Sequence, residues 1–140
     1  MTPKATSTWL GPIVWMLVLA AFLIAVGFLP TNADGMTYAQ SRHMKPAAVR
    51  AVIRKEAKRE HLSAANTSAL LWIAKRESNY HAFSSNHGKC LGVFQLSRSM
   101  CKGHPWWNPA WNTRRAIRYM RGRYGSPRKA EAFWQRHFWY

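Results

Sequence analysis

The apolar positions of the chain form one long uncharged run, followed by shorter segments in which apolar residues recur at a helical period. The run covers residues 13–29, which is 17 residues without a charge. This length is at the short end for a membrane-spanning helix and exceeds the usual apolar core of a signal peptide. We therefore predict that residues 1–30 contain one membrane-directed helix. It is either a retained signal anchor, which the length favours, or a cleaved signal peptide.

After this run, residues 31–45 show no sustained period and are predicted to be a linker. Pro46 suits the first turn of a helix, and Arg and Lys side chains occupy one face of the segment that follows it. The other face is apolar and consists of Val49, Val52, Ile53 and Ala57. The pattern predicts an amphipathic helix at the start of a domain that spans residues 46–140.

A second helix is predicted to begin at Ser63 or Thr67, since either side chain can cap it. It runs to about Glu77, which lies near its C-terminal end. At 3.6 residues per turn, one face of this helix combines Leu70, Ile73, Ala74 and Glu77. Because the other three residues are apolar, Glu77 should face the core or a cleft.

The remaining segments are also helical or irregular. Residues 78–92 are rich in Ser, Asn, His and Gly and predict a loop, and residues 93–96 are a short apolar run. Asn108 and Pro109 mark a turn, residues 111–123 predict a third helix, and a Gly-Ser-Pro sequence ends it before a last, aromatic-rich helix. We therefore expect a mainly α domain, in which no long strand is required.

Composition adds a strong charge imbalance. The chain has 21 Lys and Arg against five acidic residues, a net charge of +16. One interpretation is an anionic partner or environment, namely nucleic acid, phospholipid or an acidic wall polymer. The other is a solvated basic surface without a specific partner. The five acidic residues are Asp34, Glu56, Glu60, Glu77 and Glu131.

Among these acids, Glu77 is the candidate for catalysis. Burial raises the pKa of a carboxyl group, which makes it a proton donor near neutral pH. The alternative is a glutamate at a helix end that pairs with one of the many cations. Glu56 and Glu60 lie near the apolar stripe of the first helix, and we expect both to be ion-paired at the surface.

Three short sequence motifs follow one another along the predicted domain. They are Glu77-Ser78 at the end of the second helix, Gly92-Val93-Phe94-Gln95 as Gly-x-x-Gln, and Ala116 to Tyr119 as Ala-x-x-Tyr. In this order they resemble the soluble-type (SLT) class of lytic transglycosylases in the lysozyme-like superfamily. The tail resembles compact phage-type members. The resemblance covers residues 53–140, with His81 where the family often has Pro and Cys90 where it often has Ala.

The resemblance implies cleavage of the β-1,4 bond between N-acetylmuramic acid and N-acetylglucosamine in peptidoglycan. Glu77 would act first as acid and then as base, and the product would have a 1,6-anhydromuramyl end. This single-acid route suits a chain that is poor in second carboxylates, whereas most glycosidases use two. No cofactor or metal is implied.

The resemblance also implies four substrate-binding residues: Ser78, Gly92, Gln95 and Tyr119. Ser78 would orient Glu77, Gly92 would allow the backbone to approach the sugar, Gln95 would bind an acetamido group or a hydroxyl, and Tyr119 would hydrogen-bond to Glu77 or the intermediate. Each of these residues also has a purely structural interpretation. Ser78 can be a helix-end residue, Gly92 a turn glycine, Gln95 a turn-capping amide and Tyr119 a core aromatic.

Aromatic residues are abundant, with eight Trp, five Tyr and six Phe. Trp106, Trp107 or Trp111 could stack on sugar rings, although packing is expected for most of them. The aromatic-rich end is expected to close the core and not to form a carbohydrate platform. It comprises Phe133, Trp134, His137, Phe138, Trp139 and Tyr140.

The two cysteines allow two interpretations. A disulfide between Cys90 and Cys101 would suit a small domain outside the cytoplasm. Alternatively, His87, Cys90, Cys101 and His104 form a Cys₂His₂ set with short ligand spacings, which is typical of zinc sites. The disulfide is favoured, because the membrane-directed run indicates an oxidising compartment.

Other function classes remain alternatives to the transglycosylase. One is a hydrolase of the lysozyme type, and another is an accessory protein without activity. A third is a nucleic-acid or anionic-surface binding protein, although the basic residues of the third helix point in several directions and specific nucleic-acid binding is not expected. They are Arg114, Arg115, Arg118, Arg121 and Arg123. We expect peptidoglycan as partner, with the domain membrane-anchored outside the cytoplasm or secreted.

Overall fold

Helices dominate the domain. The computed structural model describes residues 35–140, of which 61% are helical and 6% are in strands. The prediction of a mainly α domain is therefore confirmed. The helices are α1 (Tyr38–Arg42), α2 (Pro46–Arg59), α3 (Ala64–Ser78), α4 (Arg98–Cys101), α5 (Pro109–Tyr124) and α6 (Pro127–His137). The strands are β1 (Ser85–Asn86), β2 (Cys90–Leu91) and β3 (Leu96–Ser97).

Polar caps and prolines set where the long helices begin. Ser63 Oγ accepts the amide of Asn66 at 3.3 Å and caps α3. Asn108 Oδ1 accepts the amide of Ala110 at 2.8 Å, and Pro109 occupies the first turn of α5. The turn expected at Asn108 and Pro109 is thus the cap and first turn of α5, which begins two residues before the predicted start.

The core lies between α2, α3, α5, α6 and the loop that follows β2. The predicted apolar faces of α2 and α3 point into it, with Val52 half-buried at the margin. Fully enclosed core side chains include Val49, Ile53, Leu70, Ile73, Phe94, Ile117 and Met120. Helix α3 packs against both α2 and α6, so residues at its C-terminal end lie beside the last helix.

A small antiparallel sheet follows α3 in the order β1-β2-β3. Cys90 of β2 pairs with Asn86 of β1 and with Ser97 of β3. Each strand has two residues, which agrees with the expectation that no long strand is needed. The sheet forms one wall of the site described below.

The segment expected to be a linker contains α1. Thr37 and Gln40 form a reciprocal capping box at the start of this helix. The ring of Tyr38 packs edge-on against Phe83, with ring centroids 4.8 Å apart, and against Trp107 at 5.4 Å. Part of the linker is therefore ordered against the domain by aromatic contacts that have no periodic signature in the sequence.

The membrane-directed helix predicted within residues 1–30 lies outside the described residues, as does Asp34. Within residues 35–140, none of the helices combines the length and the apolar character that crossing a bilayer requires.

Glu56 differs from its prediction in one respect. It is ion-paired as expected, with its Oε2 3.0 Å from Arg114 Nη1, but it is buried and only 2% exposed. Helix α5 covers this face of α2, which places the pair between the two helices. Glu60 is paired with Arg121 at 2.9 Å and is more exposed, as predicted.

Candidate active site

Glu77 opens into a cleft of about 480 Å³. The C-terminal end of α3 supplies Glu77, the sheet and its loops supply a polar wall, and the segment after α6 supplies an aromatic wall. The other lining residues are Ser84, Ser85, Asn86, Cys90, Gln95, Phe138, Trp139 and Tyr140. The expectation that Glu77 faces the core or a cleft is therefore confirmed.

Among the described residues, one side chain donates a hydrogen bond to the carboxyl group of Glu77. Trp134 Nε1 of α6 donates to Glu77 Oε1 at 2.5 Å. Burial raises the pKa of Glu77 above its usual value, and the Trp134 bond, which favours the charged form, opposes part of this shift. The result is a half-buried acid, held in one orientation, that retains its proton to a higher pH than an exposed glutamate does.

Among the described residues that line this cleft, Glu77 has the one carboxyl side chain. Glu56 and Glu60 are engaged by arginines of α5, and Glu131 lies on α6, where its Oε1 is 3.5 Å from Gln135 Nε2. No second Asp or Glu side chain of the described residues is therefore placed to act as an acid or nucleophile in the cleft.

Gln95 also lines the cleft, which is the place that the motif resemblance implied for it. Its Nε2 donates to the carbonyl oxygens of Ser84 at 3.0 Å and Gly92 at 2.8 Å. With both amide hydrogens engaged inside the protein, Oε1 remains as an acceptor for a ligand. Gln95 therefore combines features of both interpretations. Its amide nitrogen bonds to the turn, and its side chain lines the cleft.

Gly92 does not line the cleft. Its φ is +79°, and a Cβ placed there would lie 2.3 Å from Asn112 Nδ2 and 2.7 Å from the Trp106 carbonyl oxygen. Glycine is therefore required by a left-handed turn and by close packing against α5, which corresponds to the turn alternative.

Asn112 of α5 holds the same loop from the other side. It is fully buried, its Oδ1 accepts the amide of Phe94 at 2.9 Å, and its Nδ2 donates to the carbonyls of Trp106 at 3.1 Å and Leu91 at 3.3 Å. The loop that carries Gln95 is thereby fixed to α5. Sequence reasoning missed Asn112, because its partners are distant in the chain.

Ser78 is buried beneath the cleft and does not line it. Its hydroxyl lies 2.7 Å from the Val93 carbonyl oxygen and 3.2 Å from that of Ala74, and it donates to these acceptors, not to Glu77. The predicted role of orienting Glu77 is therefore not observed. Ser78 instead ties the end of α3 to the loop of Gln95.

Tyr119 is also displaced from its expected place, because it does not line the Glu77 cleft and Tyr140 does. The rings of Tyr119 and Tyr140 are 6.0 Å apart, and Tyr119 lines a smaller cavity that shares Cys90, Gln95 and Tyr140 with the Glu77 cleft. The Tyr140 hydroxyl donates to the Phe94 carbonyl, and burial raises its pKa well above the usual range, so it stays neutral. The hydrogen bond predicted from Tyr119 to Glu77 is made by Trp134.

The predicted disulfide is absent from the structure, in which both thiols are free. The Cys101 thiol is buried and points to the Leu96 carbonyl oxygen at 3.8 Å, whereas Cys90 is half-buried at the cleft wall. The zinc alternative also fails within residues 35–140, where no three His, Cys, Asp or Glu side chains form a group that could hold a metal. His87, Cys90, Cys101 and His104 are close in sequence but are not gathered in space.

A second cleft, of about 600 Å³, has a different character. Leu91 lines it while Cys90, the preceding residue of β2, lines the Glu77 cleft, so the sheet separates the two. It is cationic and aromatic, with Arg98, Lys102, His104, Trp106 and Trp107 in its wall. Although it is larger, none of its described lining residues has a carboxyl side chain, so Glu77 remains the candidate acid.

No protein-family model, curated protein or solved structure matches this chain.

Proposed function

We propose that this protein is a peptidoglycan lytic transglycosylase with a lysozyme-like domain, anchored to a membrane outside the cytoplasm or secreted. The observation that carries the proposal is the cleft acid. Glu77 combines a burial-raised pKa, a fixed orientation from Trp134 and a position opposite Gln95 in one cleft. The order of the Glu-Ser, Gly-x-x-Gln and Ala-x-x-Tyr motifs supports the same assignment.

In the proposed reaction, protonated Glu77 donates its proton to the oxygen of the β-1,4 bond as that bond breaks. The N-acetyl group of the muramic acid stabilises the positive charge at C1. The Glu77 carboxylate then removes the proton of the 6-hydroxyl, whose oxygen bonds to C1 and closes the 1,6-anhydro ring. No water is consumed, and Glu77 ends the cycle protonated, as it began.

The absence of a second Asp or Glu side chain among the described cleft residues supports this route over hydrolysis with two carboxylate side chains. Gln95 has a role that fits the mechanism, since its free Oε1 can accept the N–H of an acetamido group. Such a bond would turn the acetamido carbonyl towards C1.

The test is mass spectrometry of purified peptidoglycan after incubation with the domain from about residue 31. We predict fragments that end in 1,6-anhydromuramic acid. Glu77→Gln should remove them while leaving the circular dichroism spectrum and wall binding intact, because glutamine keeps the shape of the side chain but has no proton to donate. Loss of at least roughly 10³-fold in rate is expected for a general acid without a substitute.

The matched control is Glu131→Gln, which makes the same change from a carboxyl to an amide group at a site outside the cleft and should leave the rate unchanged. Reducing ends in place of anhydro ends would show a hydrolase of the lysozyme type. Full activity of Glu77→Gln would remove Glu77 from the mechanism and overturn the proposal.

A second candidate function rests on the cationic and aromatic cleft across the sheet. Arg98, Lys102 and His104 beside two tryptophans are suited to an anionic group, so a wall-binding or nucleic-acid binding protein without catalysis is the alternative. Absence of any glycan fragment from a folded sample, together with binding that weakens steeply with salt, would favour it.

A further inference from the structure

The residues directly after α6 are aromatic and return over the Glu77 cleft. Phe138 ends α6 in a left-handed conformation, with φ +62°, which turns the chain out of the helix. Phe138, Trp139 and Tyr140 then all line the cleft. We name residues 138–140 the aromatic strap.

The strap is fixed in place by contacts on its inner side. The Tyr140 hydroxyl donates to the Phe94 carbonyl. Trp139 packs edge-on against Phe133, with ring centroids 4.8 Å apart, and the Arg123 guanidinium lies 5.4 Å from its ring. The ring of Phe138 packs edge-on against Trp134, the partner of Glu77, at 5.7 Å. The strap is therefore a preorganised surface.

The outer side of the strap is exposed. Phe138 is 76% and Trp139 50% exposed, and among the described residues they are two of the three large apolar side chains so exposed. Two exposed aromatic side chains that line one cleft are an apolar surface of the kind that marks a ligand-binding groove. The third exposed side chain, Tyr38, lines neither of the two large clefts.

The opposite wall of the cleft restricts the kind of ligand. Ser84, Ser85, Asn86 and Gln95 supply neutral hydrogen-bonding groups, and none of the described lining residues is a Lys or Arg. Arg123 lies against the Trp139 ring but does not line the cleft, so a phosphate or carboxylate group between the two walls would meet no lining cation. A ligand with one apolar face and a rim of hydroxyl and amide groups matches both walls, and a pyranose ring with an N-acetyl group is such a ligand.

We propose that Phe138 and Trp139 form a sugar-stacking platform that holds an N-acetylated pyranose ring of the glycan beside Glu77. This rests on the proposed function, for which it names the residues that bind the sugar next to the scissile bond. It reverses the sequence-based expectation that the aromatic end of the chain closes the core and is not a carbohydrate platform. The core role falls to Tyr140, and the two preceding rings face the ligand.

The test uses the Glu77→Gln protein, which separates binding from turnover, with a β-1,4-linked N-acetylglucosamine tetrasaccharide as probe in isothermal titration calorimetry. Adding Trp139→Ala should weaken binding by about tenfold, which corresponds to the loss of one good stacking contact. Trp139→Phe should keep most of the affinity, since an aromatic face remains. Phe138→Ala should also weaken binding, and this side chain is exposed enough that its removal leaves folding unaffected.

The matched control is Tyr38→Ala, which removes an aromatic side chain with the same 50% exposure from a site outside the cleft and should leave affinity unchanged. Unchanged affinity in both strap variants would overturn the platform, and so would failure of the folded Glu77→Gln protein to bind the tetrasaccharide. Tetrasaccharide binding that depends on the strap, in a protein whose wild type releases no anhydro fragments, would retain the platform and reject the transglycosylase.

Discussion

At the scale of single residues, the hydrogen bond from Trp134 to Glu77 affects both the orientation and the pKa of this carboxyl group. A neutral N–H that donates to a carboxylate stabilises its charged form, and burial stabilises the protonated form. The two effects oppose each other at Glu77. A residue that must give up a proton and then take it back needs both forms to be accessible near the working pH.

We predict that Trp134→Phe lowers turnover by about tenfold, because the ring remains but the carboxyl group loses its orienting hydrogen bond. The pKa of Glu77 should rise, since the donor that favours the carboxylate is gone. The general acid is active when protonated, so the alkaline limb of the profile of kcat/KM against pH should move to higher pH. Both quantities can be measured with a soluble glycan substrate.

Trp72→Phe is the control for this prediction. Trp72 packs edge-on against Trp134, with ring centroids 5.1 Å apart, but makes no hydrogen bond to Glu77 in the structure. Its substitution should leave the alkaline limb in place. An identical shift in both variants would show that ring packing, and not the Trp134 N–H, controls the acid.

Sequence reasoning could identify Glu77 but not its partner. Glu77 interrupts an apolar stripe with a period of 3.6 residues, which is a local signal. Trp134 lies 57 residues away, and nothing in the spacing of the two reports that α6 packs on the end of α3. The place of Tyr119 could not be predicted for the same reason. The Ala-x-x-Tyr motif gives its position in the chain, but not that Tyr140 lines the Glu77 cleft in its place.

At the scale of elements, the helices are joined by a few buried polar contacts as well as by the apolar core. The Glu56 and Arg114 pair connects α2 to α5, and Asn112 connects α5 to the loop of Gln95. Removing one partner from such a contact leaves a polar group in the interior, so the cost exceeds the value of the bond itself.

We predict that Glu56→Ala lowers the free energy of unfolding by about 3 kcal/mol, because it removes a buried carboxylate that pairs with the mostly buried Arg114 between α2 and α5. Glu60→Ala, which breaks a partly exposed pair of similar length, should cost less than about 1 kcal/mol. Urea denaturation of the two variants provides the comparison. Equal losses would mean that burial does not distinguish the two pairs.

We also predict that Asn112→Ala lowers the free energy of unfolding by about 3 kcal/mol, since one buried amide, of Phe94, and two carbonyl groups lose their partner. Activity should fall even well below the melting temperature, because the loop that carries Gln95 loses its attachment to α5. Asn66→Ala removes the partly exposed acceptor of the Arg128 amide and should cost about 1 kcal/mol or less. Wild-type activity in a folded Asn112→Ala protein would contradict this role.

The long helices could be predicted because each combines an apolar stripe with a cap or a proline. The two-residue strands could not, because a period of two needs more than two residues to be visible. Helix α1 was missed for a related reason, since its five residues bury one small side chain, Ser41, and are attached through Tyr38. Short elements that are ordered by tertiary contacts leave little trace in the sequence.

At the scale of the whole molecule, the strong positive charge of the chain contrasts with the lining of the Glu77 cleft. The chain carries a net charge of +16, yet the part of the chain that the structure describes contributes no lysine or arginine to the wall of this cleft. The proposed long-range attraction to an anionic wall and the proposed short-range recognition of a sugar can therefore be distinguished by their response to salt.

We predict that binding to whole cell walls weakens severalfold as salt rises from about 0.05 M to about 0.5 M, because screening shortens the range of surface charge. Binding of the neutral tetrasaccharide to the Glu77→Gln protein should change little over the same range. Co-sedimentation with walls and calorimetry with the tetrasaccharide measure the two. Wall binding that does not change with salt would contradict the proposal that the basic surface attracts the protein to the wall.

The dependence of Glu77 on α6 has a consequence for the order of events during synthesis. The ribosome releases Glu77, Gln95 and Tyr119 before Trp134, so all three motifs are present in the nascent chain while the acid still lacks its partner. The aromatic strap emerges later still. A nascent chain that has reached the end of α5 therefore contains the whole motif set without the oriented acid, and the proposed cleavage would begin only after α6 has docked on α3.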